Sequence, residues 1–166
     1  PGRYFRMDIA NLTDSDFKRL GKFDMVRMQH VLEHFPPEAG FRVLQNCAML
    51  LKPGGVILIT TPDLRKIIQL FLSGNIREDF EWAHKRIDPG SPDSFYFSVY
   101  SHSLPHEPHE WCYDAEGIKY QLEKSGLYDD IREIPLNHEL AGIPFTHNRP
   151  KEDVCVMAQL KCTHGG

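Results

Sequence analysis

At 166 residues, with 41% apolar and 25% charged side chains, the chain has the make-up of an ordinary globular protein, long enough for one domain burying roughly 70% of its unfolded surface. A net charge of -4, with no Lys/Arg block, excludes a general affinity for the nucleic-acid backbone. No apolar run is long enough to span a bilayer and no signal-peptide pattern opens the chain, so neither a membrane span nor secretion is expected. Cys47, Cys112, Cys155 and Cys162 show no CxxC pair or framework spacing, and they read as reduced thiols of a cytoplasmic protein. The chain begins with Pro1 rather than Met, the start expected of a fragment or a processed product.

In chain order, Tyr4-Phe5-Arg6-Met7 is short and β-prone and ends at Asp8. Thr13 or Asp14 caps a short helix through Leu20. Phe23 to Met28, FDMVRM, is a strand candidate. Pro36-Pro37 opens a helix that runs to about Leu51, with Phe41, Leu44, Ala48 and Leu51 on one face and Val43, Cys47 and Leu50 widening the stripe. Gly54-Gly55 permits the exit from that helix, and Val56 to Thr60 is the β-branched run of a strand covered on both faces. Leu64 to Leu72 reads as a helix. Its sequence LRKIIQLFL also suits a membrane surface, but packing on a sheet needs fewer assumptions.

From Asn75 to Tyr113 the regular pattern stops. This stretch, rich in Pro, Ser, His and aromatics, has the character of a functional loop or lid within one domain spanning 1–166. The pattern resumes with a helix from Asp114 to about Ser125 ended by Gly126, a strand over Ile131 to Leu136, a last strand over Val154 to Leu160, and a frayed THGG end. Strand, helix, strand with apolar strands predicts a parallel sheet in an α/β layer fold.

FDMVRMQHVLEHF followed by LLKPGGVILITTPD resembles the class I S-adenosylmethionine-dependent methyltransferases, in the subfamily with VLEH and LKPGG motifs. DAEGIKYQLEKSGL is similar to that family's later helix and turn, so the likeness covers most of the chain and is weakest over 75–113. The resemblance implies a Rossmann-like methyltransferase sheet, mostly parallel, with a C-terminal antiparallel hairpin. The family's glycine-rich first turn has no counterpart, because no GxG occurs before residue 30. On this alignment Tyr4–Met7 takes the place of the third strand, and strands one and two are missing from the N-terminus. Strand four is then left with an unpaired apolar edge, which points to homo-oligomerisation through that edge.

The resemblance also assigns residues. Asp8 stands where the family accepts a hydrogen bond from the cofactor's adenine, with Ile9 beside the ring, although Asp is also a common turn residue. Met28, Gln29 and His30 end the FDMV strand at the carboxyl edge of the sheet, where open α/β folds bind ligands, and are expected near the methionine end and sulfonium of S-adenosylmethionine. Met28 has a competing role in the core. His34, with Glu33, belongs to the VLEH motif; His34 and His30 are the catalytic candidates, while the commoner task of a histidine such as His34 is to satisfy backbone groups at a helix start. Asp24 reads as structural.

In the 75–113 stretch, His102, His106, His109, Glu110 and Cys112 are of metal-ligating type. Two prolines keep that piece extended and it lacks HExxH geometry, so no metal ligand is assigned there. Its aromatics Phe95, Tyr96, Phe97, Tyr100 and Trp111 suit either a substrate-facing wall or packing under the loop. The expected activity is methyl transfer from S-adenosylmethionine, once the site is completed, to a small-molecule acceptor rather than nucleic acid, with specificity in 75–113 and in the loop from His138 to Pro150. The rival readings are a non-catalytic methyltransferase-like assembly module and a histidine-rich metal-binding domain.

Overall fold

The computed structural model describes residues 4–74, 108–147 and 149–162. Tyr4 to Asp8 is irregular, with Tyr4 89% exposed, and is not the strand its β-prone residues suggest. A strand is held by its pairing, and among the described residues no strand lies beside this segment. Asp8 instead caps a 3-10 turn, Ile9–Asn11, accepting from Ala10 N at 2.9 Å. Asn46 Nδ2 donates to Ile9 O at 2.8 Å and ties that turn to the body. Thr13 then caps helix α1, Asp14–Leu20, in a capping box with Asp16.

Strand β1, Phe23–Gln29, leads through a 3-10 turn, Leu32–His34, into helix α2, Pro37–Leu50. Val43, Leu44, Cys47, Ala48 and Leu50 of α2 are buried, as the apolar spacing predicts. Strand β2, Leu51–Pro62, is longer than the apolar run alone suggests, because Leu51 already pairs with Phe23. The next pair is Met25 with Val56, so Lys52 to Gly55 form a bulge. Gly54 there has φ +74°, in the left-handed region. Gly55 is needed for a different reason. A Cβ on it would lie 2.9 Å from Lys52 O and 3.1 Å from Asp24 O, both backbone atoms. Gly55→Ala is therefore expected to lower stability by about 1–3 kcal/mol through local overpacking. Urea denaturation checks this, and an unchanged midpoint would show that the bulge relaxes around the methyl.

Asp63 caps helix α3, Leu64–Leu72, and Asp114 caps helix α4, Ala115–Ser125, which Gly126 ends at φ 69°. Strand β3 covers Tyr128–Ile134, three residues earlier than expected at its start, since its pairing runs from Tyr128 with Leu160 to Ile134 with Cys155. Tyr128 anchors that start: its ring is buried and its hydroxyl donates to Leu44 O at 2.7 Å. Strands β4, His138–Leu140, and β5, Ile143–Phe145, form a hairpin, and β6, Asp153–Leu160, completes the set.

The main sheet has the order β1-β2-β6-β3. β1 and β2 are parallel and joined by α2, while β6 runs antiparallel to both β2 and β3. The expected parallel pair and the antiparallel C-terminal closure are both present. Alternation along β2 divides the core between two faces. Ile57 and Ile59 face α2 and α4, with Leu44, Cys47, Ile118, Leu122 and Val156. Leu58 faces the other way, with Met157 and with Phe145 and Leu140 of the β4–β5 hairpin. β1 has no strand on its outer side among the described residues. Among those residues no helix is long and apolar enough to cross a membrane.

Candidate functional site

The carboxyl ends of β1 and β2 lie together because the two strands are parallel. β6, being antiparallel, brings its first residue to the same edge, and Asp153 pairs with Pro62. Backbone contacts hold the edge in register: His30 N donates to Thr60 O at 2.9 Å and Asp63 N to Glu152 O at 2.7 Å.

His30 leaves β1 with φ 52°, a conformation uncommon for a non-glycine residue. Its Nε2 lies 2.7 Å from Asp153 Oδ2, and its Nδ1 lies 3.2 Å from Glu33 Oε1. His147 Nε2 meets the same Asp153 oxygen, and its ring stacks on that of His30 with centroids 6.0 Å apart. Gln29 Nε2 stands 3.4 Å from His147 Nδ1, and His147 N donates to Asn137 Oδ1 at 2.7 Å, which fixes the loop that carries it. The Asp153 side chain is fully buried and the His147 and Glu33 side chains nearly so, whereas that of His30 keeps 20% of its surface exposed.

Both imidazole Nε2 atoms donate to the Asp153 oxygen, which places a proton on Nε2 of each ring. Burial alone pushes the His30 imidazole down, but the Asp153 and Glu33 carboxylates together outweigh it and lift it to about 9. At neutral pH His30 thus holds its proton. It can offer positive charge or a hydrogen bond, and it is not a base. The 3.2 Å approach to Glu33 is an ion-pair contact without hydrogen-bond direction, so both Glu33 oxygens and Asp153 Oδ1 lack a hydrogen-bond partner among the described residues.

His34 lies beside this cluster. Its Nδ1–H donates to Pro108 O at 3.1 Å, and its ring meets His109 edge-on with centroids 5.0 Å apart. The Glu33 carbonyl accepts from Glu110 N at 2.8 Å and Trp111 N at 3.1 Å, so residues 108–111 are laced onto the VLEH turn. A small cleft opens there, lined by Glu33, Pro62, Leu64, Ile67, His109, Trp111 and Cys112. Burial pushes the Cys112 thiol up, against thiolate chemistry.

The other residues singled out in the sequence fall as follows. Asp8 is exposed and ionised, its carboxyl held below the ordinary range by Asn11 Nδ2 and the Ala10 N–H. Ile9 packs partly against the core, and Met28 is within it, 4% exposed, with its sulfur 3.9 Å from Cys47 Sγ. Asp24 pairs with Lys52 Nζ at 2.8 Å at the opposite end of β1. His102, His106, Phe95, Tyr96, Phe97 and Tyr100 lie outside the described residues. Asp153 and His147 were not expected. The available signal was the stretch PFTHNRPKEDV, whose histidine and acidic residues stand immediately before a returning strand, and it went unread.

A family model described as a methyltransferase domain matches residues 3–130. The chain belongs to the class I S-adenosylmethionine-dependent methyltransferases. Among curated relatives, this methyltransferase chain is 35% identical to the ubiquinone biosynthesis O-methyltransferase of Colwellia psychrerythraea over 60% of its own length and 39% of the relative's. It is 30% identical to the Shewanella halifaxensis protein of the same name over 74% of the chain and 50% of the relative. The chain therefore spans about half or less of these relatives. Its fold is shared with a SAM-dependent methyltransferase from Archaeoglobus fulgidus, with TM-score 0.51 and 19% identity over 93% of this chain and 66% of that one. It is also shared with an O-methyltransferase family protein from Burkholderia thailandensis, with TM-score 0.54 and 15% identity over 98% of this chain and 36% of that one.

Proposed function

We propose that this chain forms the acceptor-side half of an S-adenosylmethionine-dependent methyltransferase that methylates an oxygen of a small molecule. The cofactor wall would be completed by a glycine-rich turn from outside residues 1–166 or by another surface of a second copy of the chain, which itself lacks that turn. One observation carries the reading: the carboxyl edge of β1 presents the exposed Gln29 and the protonated His30 beside the cleft formed by Glu33, His109 and Trp111. The choice of oxygen rests on the names of the relatives in Colwellia and Shewanella.

The donor chemistry belongs to the cofactor, whose sulfonium supplies the methyl group. The exposed, ionised Asp8 carboxylate suits an adenine amino group, and Ile9 beside it offers an apolar wall. Gln29 and His30 suit the polar methionine end. The buried carboxylates of Asp153 and Glu33 balance the His30 charge, which would otherwise repel a sulfonium. Met28 serves this site from the core beneath it. His34 orients the 108–111 segment, and proton transfer falls to it rather than to His30, whose proton is held. Alignment of donor and acceptor with exclusion of water supplies most of the acceleration. Residues 1–166 act as one partial domain, in the cytoplasm, on neither nucleic acid nor membrane.

Calorimetric titration of the purified chain with S-adenosylhomocysteine, with light scattering on the same sample, tests this reading. Micromolar binding is expected when a second copy completes the wall, with a dimer by scattering. No binding at millimolar ligand by the chain alone, with binding absent also from a longer form carrying the glycine-rich turn, would overturn it. One observation favours a second reading, a non-catalytic assembly module: among the described residues no strand pairs with the outer edge of β1, where Phe23 is 39% exposed. A dimer that ignores the cofactor would support that reading.

A further inference from the structure

We propose that His30, His147 and Asp153 form a binding site for a divalent cation of the zinc class, clamping together the end of β1, the segment after β5 and the first residue of β6. The donor atoms of these three side chains all lie within 4.8 Å of one another. Both imidazoles present the same nitrogen, Nε2, to the same carboxylate oxygen. Each ring turns its other nitrogen to a polar group, His30 to Glu33 at 3.2 Å and His147 to Gln29 at 3.4 Å. For His147 that is the arrangement in which an outer partner orients a metal-bound imidazole, the Gln29 amide turning its oxygen to Nδ1–H, while Glu33 offers His30 an ion-pair contact.

Charge and burial point the same way. Asp153 and Glu33 place two carboxylates out of water, and Asp153 Oδ1 is buried without a hydrogen-bond partner among the described residues. Such groups are costly unless paired or bound to a metal. A dication that sends the Nε2 proton of His30 to solvent and shifts that of His147 to Nδ1 meets two neutral imidazoles, cancels both carboxylate charges and gives Asp153 Oδ1 a place in the coordination sphere. Two nitrogens and a carboxylate favour zinc and its first-row neighbours over magnesium or calcium, which prefer all-oxygen sets. Three protein donors leave a further position to solvent. The site shares His30 and Gln29 with the edge proposed above for the methionine end of the cofactor, and its readouts need no cofactor.

The test uses the 166-residue chain stripped with a chelator and titrated with zinc by calorimetry. One cation per chain is expected, with a dissociation constant in the micromolar range or below. Zinc-edge X-ray absorption of the wild-type complex should show two imidazoles and oxygen, with no sulfur, a reading that needs no variant. His147→Gln and Asp153→Asn should each weaken binding by at least about 100-fold, beyond the 10–100-fold typical of losing an outer partner. Circular dichroism establishes that each variant is folded. His34→Ala and His109→Ala should leave affinity unchanged, which separates this site from the neighbouring Glu33, His34 and His109 group. Absence of stoichiometric zinc at millimolar concentration, sulfur in the first shell, or loss of binding through His34 or His109 instead would overturn the proposal. The three side chains would then be a hydrogen-bonded His–Asp–His group and nothing more.

Discussion

Replacing Asp153 with Ala is expected to destabilise the fold by about 3–5 kcal/mol, the range for breaking a buried charged pair by removing one partner. The Asp153 oxygen accepts from His30 and His147 at once, inside the protein, where water cannot stand in for it. Without it, His147 Nε2–H has no acceptor and the His30 charge keeps Glu33 alone. Asp153→Asn retains an acceptor in the same place and loses only the charge, so a smaller loss is expected. Urea denaturation of both variants, in chelator so that bound metal makes no contribution, measures the difference. An Ala variant within about 1 kcal/mol of the wild type would show that the three side chains contribute no more to stability than an ordinary surface group.

A loss of similar size should follow from Ile59→Ala. Ile59 is fully buried in β2, between Met28 of β1 and Val156 of β6, and faces the helix side of the core. Truncation there leaves a cavity that three paired strands hold open, at a cost of about 2–5 kcal/mol. Ile143→Ala, in the β4–β5 hairpin and 52% exposed, should stay within about 0.5 kcal/mol of the wild type. Midpoints of thermal or urea unfolding compare the two. Equal effects at both positions would mean that the hairpin is packed far more tightly than its exposure indicates.

The elements with strong local signals were legible. Thr13 and Asp114 each cap the helix that follows, and Gly126 ends α4 with a left-handed backbone, because caps depend on side chains a few residues away. The apolar run after Gly54-Gly55 is a central strand with both faces covered. Tyr4 to Met7 has strand-like residues and no strand, because β-propensity expresses a fit to a paired surface and none of the described residues pairs there. β3 starts at Tyr128 rather than Ile131 for a related reason: its register is set across the sheet by β6 and by the buried Tyr128 hydroxyl on Leu44 O.

For the site, the sequence placed Met28, Gln29 and His30 at the carboxyl edge of the sheet, where β1 ends, and Glu33 and His34 follow in the VLEH turn. The sequence by itself determined the family, the helix caps, the strand-helix-strand passage and that edge, all carried by contiguous motifs of a dozen residues or so. Only the tertiary structure decided what His30 touches. Asp153 stands 123 positions along the chain from His30, and His147 stands 118 from Gln29. They meet because β6 returns antiparallel beside β2 and sets its first residue next to the end of β1. The state of His30 follows from that meeting: Asp153 from a distant segment joins the nearby Glu33, and the two carboxylates overcome its burial and hold its proton, a balance of desolvation and charge that the local pattern encodes only in part.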